Sequence, residues 1–166
     1  MFMLFNAFPD PPKFVQLNLG YRVTDRDVVS LEAITWTYDR PLGIPWGPSF
    51  DDKRENYPGS VRSVGVGVAY QRFLWRGAYA AAHALPQLQQ YRDPAGREIQ
   101  KGFQLFTTLR AGYHVPMFRK RFFIEPSIAM TAWPINTNVP DSFAARDRKW
   151  SEYFLAAPGL HFGMRF

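Results

Sequence analysis

The chain has 166 residues, a length that suits one closed barrel or one sandwich, so residues 1–166 are expected to form a single domain. It contains no cysteine, which excludes disulfides, a thiolate nucleophile and cysteine-based metal sites. The net charge of +6 comes from basic residues spread over the chain, with one run at Arg119-Lys120-Arg121, and this distribution disfavours a nucleic-acid partner.

Hydropathy separates two kinds of membrane protein. No stretch approaches the roughly 18 apolar residues of a membrane helix, which excludes a helical membrane protein. A transmembrane strand needs only about 9–11 alternating residues, so a mean hydropathy of −0.27 with 17% aromatic residues is compatible with a β-barrel. Residues 1–5 are too short and lack the basic flank of a signal peptide, so either the protein is cytosolic or the chain begins inside a longer one.

Seven segments alternate apolar and polar residues with period two, which is typical of half-buried strands. In chain order they are residues 14–23, 28–38, 61–73, 78–91, 102–115, 122–133 and 153–166. In the first, Val15 and Leu17 lie opposite Gln16 and Asn18, and the others repeat this division. The sequence therefore predicts an all-β, antiparallel, up-and-down fold.

Two features of the pattern favour a membrane barrel over a soluble sandwich. The polar faces are rich in Gly, Ala, Ser, Gln and isolated charges, which suits a narrow packed interior. Aromatic residues cluster at segment ends, where interfacial girdles are expected. The predicted girdle residues are Tyr21, Trp36, Tyr38, Trp75, Tyr91, Tyr113, Trp133 and Tyr153.

The connections between segments alternate strictly in length. Those at 24–27, 74–77 and 116–121 are short, whereas those at 39–60, 92–101 and 134–152 are long and rich in proline, glycine and charge. Outer-membrane barrels combine short periplasmic turns with longer external loops and have an even number of strands. We therefore expect seven strands here and an eighth preceding Met1, joined to the first by an external loop at 6–12.

The C-terminal pattern Leu160-x-Phe162-x-Met164-x-Phe166 resembles the assembly signal of bacterial outer-membrane barrels. The segments 18–22, 133–138 and 158–160 also resemble a group of small, uncharacterised, eight-stranded envelope barrels. The resemblance implies a Gram-negative outer membrane, contact with the lipid bilayer and lipopolysaccharide, and recognition of Phe162, Met164 and Phe166 by the barrel-assembly machinery. It implies no specific activity and no cofactor.

Charged residues on the inward face are expected to pair with one another, since an unpaired charge in a low-dielectric interior is costly. The predicted interior network comprises Arg22, Glu32, His83, Arg110, Glu125 and Arg165. No metal site is expected, because the three histidines lie on separate strands without ligand spacing.

A hydrolytic alternative uses the same face. Ser127, Glu125 and either His114 or His161 have the residue types of a nucleophile, an orienting acid and a general base. Some outer-membrane lipid deacylases use a histidine, serine and glutamate, but with histidine and serine two apart on one strand. No His-x-Ser occurs in this sequence.

The long connections are the expected interaction surface, because loops carry variable function on a rigid scaffold. Residues 42–48 and 133–135 offer aromatic and apolar contacts stiffened by proline, and Arg146, Arg148 and Lys149 could meet lipopolysaccharide phosphates. The predicted function is structural or interaction-based, without catalysis. The remaining alternative is a soluble, lipocalin-like barrel with its apolar strips facing a ligand inside.

Overall fold

The protein is described by a computed structural model over residues 2–3, 13–42, 56–119 and 121–165. In these ranges it is an antiparallel β-protein with one short helix, as the predicted fold class requires. No helix in the described ranges combines the length and apolar character needed to cross a membrane.

The strands follow the predicted segments closely. They are β1 (Phe2–Met3), β2 (Lys13–Arg22), β3 (Asp27–Tyr38), β4 (Ser60–Trp75), β5 (Ala78–Arg92), β6 (Glu98–Tyr113), β7 (Val115–Met117), β8 (Phe122–Thr137) and β9 (Tyr153–Met164), with helix α1 (Asp141–Asp147) between β8 and β9. The fifth predicted strand is divided at His114, whose backbone N–H donates to the carbonyl of Gly77 instead of continuing the ladder.

The strands pair in sequence order from β2 to β6, then β6 pairs with β8 and β8 with β9. The two-residue strand β1 pairs with both β2 and β9: Phe2 lies opposite Leu17 on one side and Phe162 on the other. Strand β1 thus lies between β2 and β9, where an eighth strand is expected, but it fills that position over only two residues. The sheet is curled, and its concave side is called the interior below.

The connections define two ends of the sheet. At the turn end lie the tight turns at 23–26 and 76–77 and the turn residues 118–119 and 121. At the loop end lie residues 39–42, 56–59, 93–97 and 138–152. In the tightest turn Arg76 and Gly77 both have positive φ, of 45° and 98°, which a two-residue hairpin turn requires. The prediction of a long connection at 92–101 was wrong, because β5 and β6 continue until Arg92 faces Glu98.

Burial alternates along the strands in the predicted sense. Val64, Val66 and Val68 face outward and are about half exposed, whereas Ser63 is 0% exposed. Large apolar side chains thus lie outside, and Gln, Glu and His side chains lie buried inside. The lipocalin-like alternative requires the opposite orientation of these faces.

The predicted aromatic girdle was wrong at the loop end. Trp36, Tyr38, Tyr91 and Trp133 are buried inside, where they form most of the hydrophobic core together with residues such as Phe106. The reason is parity: Trp36 and Tyr38 lie an even number of residues from Glu32 and so share its inward face. At the turn end Tyr21, Trp75 and Tyr113 are exposed, as residues of a girdle would have to be.

Two local features of the last connection were not anticipated. Helix α1 places Phe143, which is 0% exposed, against the rings of Tyr57 and Tyr91. A bulge between β8 and β9, with Ala156 at φ 57°, changes the parity of β9. Phe154, which the alternation puts outside, therefore turns inward and packs edge-on against Trp133.

Candidate functional site in the interior

Strand β4 organises the interior because its inward side chains are small. Gly65, Gly67 and Ala69 alternate there, and a Cβ at Gly67 would lie 2.3 Å from the carbonyl oxygen of Ala84. Side chains of β3 and β5, which flank β4, therefore meet across it. Three such contacts form between residues 51 apart: Glu32 with His83, Trp36 with Gln87, and Tyr38 with Gln89. The separation is constant because β3 and β5 run parallel on either side of one antiparallel neighbour.

Glu32 is the centre of the first polar cluster. His83 Nδ1 lies 3.0 Å from each carboxylate oxygen, and Gln16 and Asn18 donate amide hydrogens to Oε1. The carboxylate is 1% exposed and receives three side-chain donors from β2 and β5. The cluster joins two of the predicted network residues, Glu32 and His83. Gln16 and Asn18 were not part of the predicted network, although their parity put them on the same inward face.

Glu125 is the centre of a second cluster nearer the turn end. Its Oε1 lies 2.7 Å from His114 Nδ1 and 3.4 Å from Gln71 Nε2, while Arg165 Nη2 lies 2.8 Å from His114 Nε2. Arginine can only donate, so His114 accepts at Nε2 and donates from Nδ1 to the carboxylate. Arg165, His114 and Glu125 thus form a directed chain of hydrogen bonds.

The two other arginines of the predicted network behave differently. Arg22 lies at the turn end, where it donates to the carbonyl of Asp25 and stands 5.1 Å above the ring of Phe73. It joins neither carboxylate. Arg110 lies inside on β6, and its Nε is buried without a hydrogen-bond partner among the described residues. The interior therefore holds two carboxylates that are each hydrogen-bonded to a histidine, and a guanidinium that hydrogen-bonds to none of the described residues but interacts electrostatically with both carboxylates.

The residues of the hydrolytic alternative form two separate pairs. Ser127 Oγ lies 3.5 Å from His161 Nδ1, and the same nitrogen lies 3.3 Å from the backbone carbonyl oxygen of Glu125. A serine triad needs one imidazole nitrogen on the hydroxyl and the other on a carboxylate. Here the Glu125 carboxylate is held by His114 instead, so no imidazole links Ser127 to an acid.

A cavity of about 200 Å³ lies between the polar clusters and the aromatic core. Its lining on the turn-end side is polar and comprises Glu32, His83, Arg110, Thr108, Ser127 and His161. Its lining on the loop-end side is apolar and includes Ile34, Trp36, Leu85, Phe106 and Phe154. The cavity is therefore amphipathic, with a carboxylate, a guanidinium and two imidazoles at one end and aromatic rings at the other.

Above the cavity, neutral hydrogen bonds and stacked rings fill the interior. Trp36 Nε1 donates to Gln87 Oε1 at 2.7 Å, and Gln89 donates to Gln104 Oε1 and to the hydroxyl of Tyr38. Phe106 stacks on Trp133 with centroids 5.1 Å apart. The glutamine layer was missed because neutral amides carry no charge signal, but inward parity could have found it.

Helix α1 covers this core at the loop end. The hydroxyl of Tyr57 donates to a carboxylate oxygen of Asp147, which ties the 39–59 connection to the 138–152 connection. Burial raises the pKa of the Asp147 carboxyl above its usual range, although the hydrogen bond from Tyr57 opposes that rise. Burial also raises the pKa of the Tyr57 hydroxyl, and the nearby Asp147 carboxylate adds to the effect.

The remaining predicted residues lie at the surface or outside the described ranges. Phe162 and Met164 face outward on β9, and Phe166 lies outside the described residues. Most of the predicted loop at 42–48 and the loop at 6–12 also lie outside them. Arg148 is exposed at the end of α1. Across the described ranges, no group of three or more His, Asp or Glu side chains is placed to hold a metal ion.

Comparison of the chain with protein-family models, with curated proteins and with solved structures gives no match. The functional argument therefore depends on the geometry of this chain alone.

Proposed function

We propose that this protein is an outer-membrane β-barrel whose interior is filled toward the loop end, and that its role is structural or interaction-based through that end. The observation that carries the proposal is the inverted distribution of side chains. A water-soluble domain buries its apolar residues and exposes polar ones. Here Val66, Leu88 and Leu109 are each more than half exposed, while Gln87, Gln104 and Glu125 are each at most 2% exposed. An apolar exterior over alternating strands is what a lipid environment stabilises.

The filled interior supports a role without conduction. The hydrogen-bonded layer of Gln87, Gln89 and Gln104 lies under the rings of Tyr38 and Tyr91, and α1 packs above them. An eight-stranded barrel has an interior that side chains can fill. The ordered cap leaves the loop end as the accessible surface for a partner, with Arg148 exposed there for anionic groups such as lipopolysaccharide phosphates.

A pair of matched substitutions tests the membrane proposal. Val66→Arg places a charge in the middle of the outer face of β4, and Val23→Arg places the same charge at the turn end. In phospholipid vesicles we expect Val66→Arg to lower the free energy of unfolding by about 2–4 kcal/mol and Val23→Arg by about 0–1 kcal/mol. Urea unfolding measured by tryptophan fluorescence gives both values.

The same experiment distinguishes a soluble protein. In water an exposed Val66→Arg substitution should change the free energy of unfolding by no more than about 0.5 kcal/mol. Equal effects at the two positions, together with a protein that stays out of the membrane fraction and migrates identically before and after boiling, would reject the membrane proposal.

A further inference from the structure

We propose that the interior cavity is a binding site for a small organic anion. The ligand has one carboxylate or phosphate group joined to an apolar part the size of a single ring or a short alkyl chain. This inference goes beyond the proposed function, since it concerns the interior of the sheet and does not require that the exterior face lipid.

The unused hydrogen-bond donors of Arg110 favour an anion in the cavity. The Glu32 carboxylate already accepts hydrogen bonds from His83, Gln16 and Asn18, and it acts on Arg110 only through space. The Arg110 guanidinium hydrogen-bonds to none of the described residues, although it lies inside and lines the same cavity. A buried cation without an acceptor is costly, and a carboxylate or phosphate is the group that guanidinium binds best.

Two buried imidazoles add polar groups at this end of the cavity. The His83 side chain is 8% exposed and His161 is 0% exposed, and the Nε2 atom of each has no hydrogen-bond partner among the described residues. Native proteins pair most buried polar atoms, so unpaired ones in a cavity wall indicate a missing partner. Nδ1 of His83 faces the Glu32 carboxylate and Nδ1 of His161 faces the Glu125 carbonyl oxygen. A neutral imidazole that donates from Nδ1 accepts at Nε2, so these two atoms suit a hydroxyl hydrogen of the ligand or of a bound water, whereas Arg110 donates to the anionic group itself.

The apolar end sets the size of the ligand. Trp36, Phe106, Leu85 and Phe154 line it, and the cavity measures about 200 Å³. An apolar cavity of about 150 Å³ is sufficient to hold benzene. The space therefore suits one ring or a short chain and is too small for the two acyl chains of a phospholipid.

The test measures binding to the full chain by isothermal titration calorimetry, in phosphatidylcholine nanodiscs if the protein inserts into them and in aqueous buffer if it does not. The probes are phenylacetate, 2-phenylethanol and 2-phenylethylamine, which share a ring and differ in charge. We expect phenylacetate to bind more tightly than the alcohol by about tenfold or more, and the amine to bind least. Phenyl phosphate in a parallel titration distinguishes a phosphate ligand from a carboxylate ligand.

Matched variants locate the site. Arg110→Gln should weaken phenylacetate binding about tenfold or more, whereas Arg72→Gln, on an exposed arginine at the turn end, should leave it unchanged. Ala129→Leu fills the cavity without changing charge and should abolish binding of all probes. Ala111→Leu adds the same side chain on the exposed face of β6 and should leave probe binding unchanged.

Several results would overturn the inference: no binding of any anion, equal binding of acid and alcohol, or no effect of Arg110→Gln in a variant that still unfolds cooperatively. The outcome is separable from the membrane proposal. A protein that binds phenylacetate without entering membranes would reject only the proposed function, and an inserted barrel without binding would reject only this inference.

Discussion

The two halves of the interior are filled by side chains of different chemistry. Toward the loop end, Trp36, Gln87 and Gln104 fill the space with rings and neutral amides. Toward the turn end, Glu32 and Glu125 are held by histidines, and Arg110 stands between the clusters without a hydrogen bond to the described residues. Neutral amides lose little on burial when they are hydrogen-bonded, whereas each buried charge depends on its particular partners. The turn-end half should therefore be the more sensitive to single substitutions.

The largest effect is expected for Glu32→Leu. It removes the acceptor for His83, Gln16 and Asn18 at a position that is 1% exposed, and breaking a buried pair costs about 3–5 kcal/mol. The measurement is the free energy of unfolding in urea, in vesicles. The double variant Glu32→Leu/His83→Leu should recover part of this loss, because no buried imidazole is then left without its acceptor. A single variant as stable as the wild type would contradict the role of Glu32.

A smaller effect is expected for Trp36→Phe in the loop-end half. The substitution keeps most of the ring packing and removes the donor to Gln87 Oε1, so we expect a loss of about 1–3 kcal/mol. Trp75→Phe, at an exposed tryptophan of the turn end, is the matched control and should be nearly neutral. If Trp36→Phe costs more than Glu32→Leu in the same unfolding assay, the proposed ranking of the two halves is wrong.

The smallest expected effect is the pH dependence of two segments at the loop end, helix α1 and the 93–97 turn. Burial raises the pKa of Asp147 above its unfolded value, so its protonation favours docking of α1, and that contribution is lost as pH rises through the folded pKa. In the 93–97 turn the sign is opposite, because the Arg97 backbone N–H lowers the pKa of Asp93. That contribution is lost as pH falls through the lowered value.

Hydrogen exchange between about pH 2 and about pH 7, corrected for intrinsic rates, measures both segments in one sample. Protection of α1 should decrease with rising pH and become independent of pH in Asp147→Asn. Protection of the 93–97 turn should change in the opposite direction. If protection of α1 instead increases with pH, the folded protein stabilises the charged carboxylate of Asp147 over its protonated form, which would contradict this prediction.

The strands could be predicted from the sequence because their period-two pattern persists through long segments. Most of the interior network could be placed by parity alone, which identified Glu32, His83, Arg110 and Glu125 as inward. Their partners could not be assigned, since Glu32 and His83 lie on strands that are not neighbours and meet only across the glycines of β4. Pairing of that kind depends on the register of three strands at once.

The aromatic residues show where residue type misleads. Trp36 and Trp133 were assigned to a girdle because tryptophan favours interfaces, although the inward parity of Trp36 already pointed to the core. Helix α1 has only seven residues in a proline-rich connection, too few for a helical period to appear. The bulge that turns Phe154 inward depends on the positive φ of Ala156, for which alanine gives no signal.

The small residues of β4 also have a consequence for how this sequence can change over evolution. Because β3 and β5 touch above Gly65 and Gly67, a larger side chain on β3 has to be matched by a smaller one 51 positions later. Correlated substitutions in related sequences should therefore appear at that offset, between strands that share no backbone hydrogen bond. Positions 65 and 67 should stay glycine in related sequences, because a side chain at either position would occupy the space in which side chains of β3 and β5 meet.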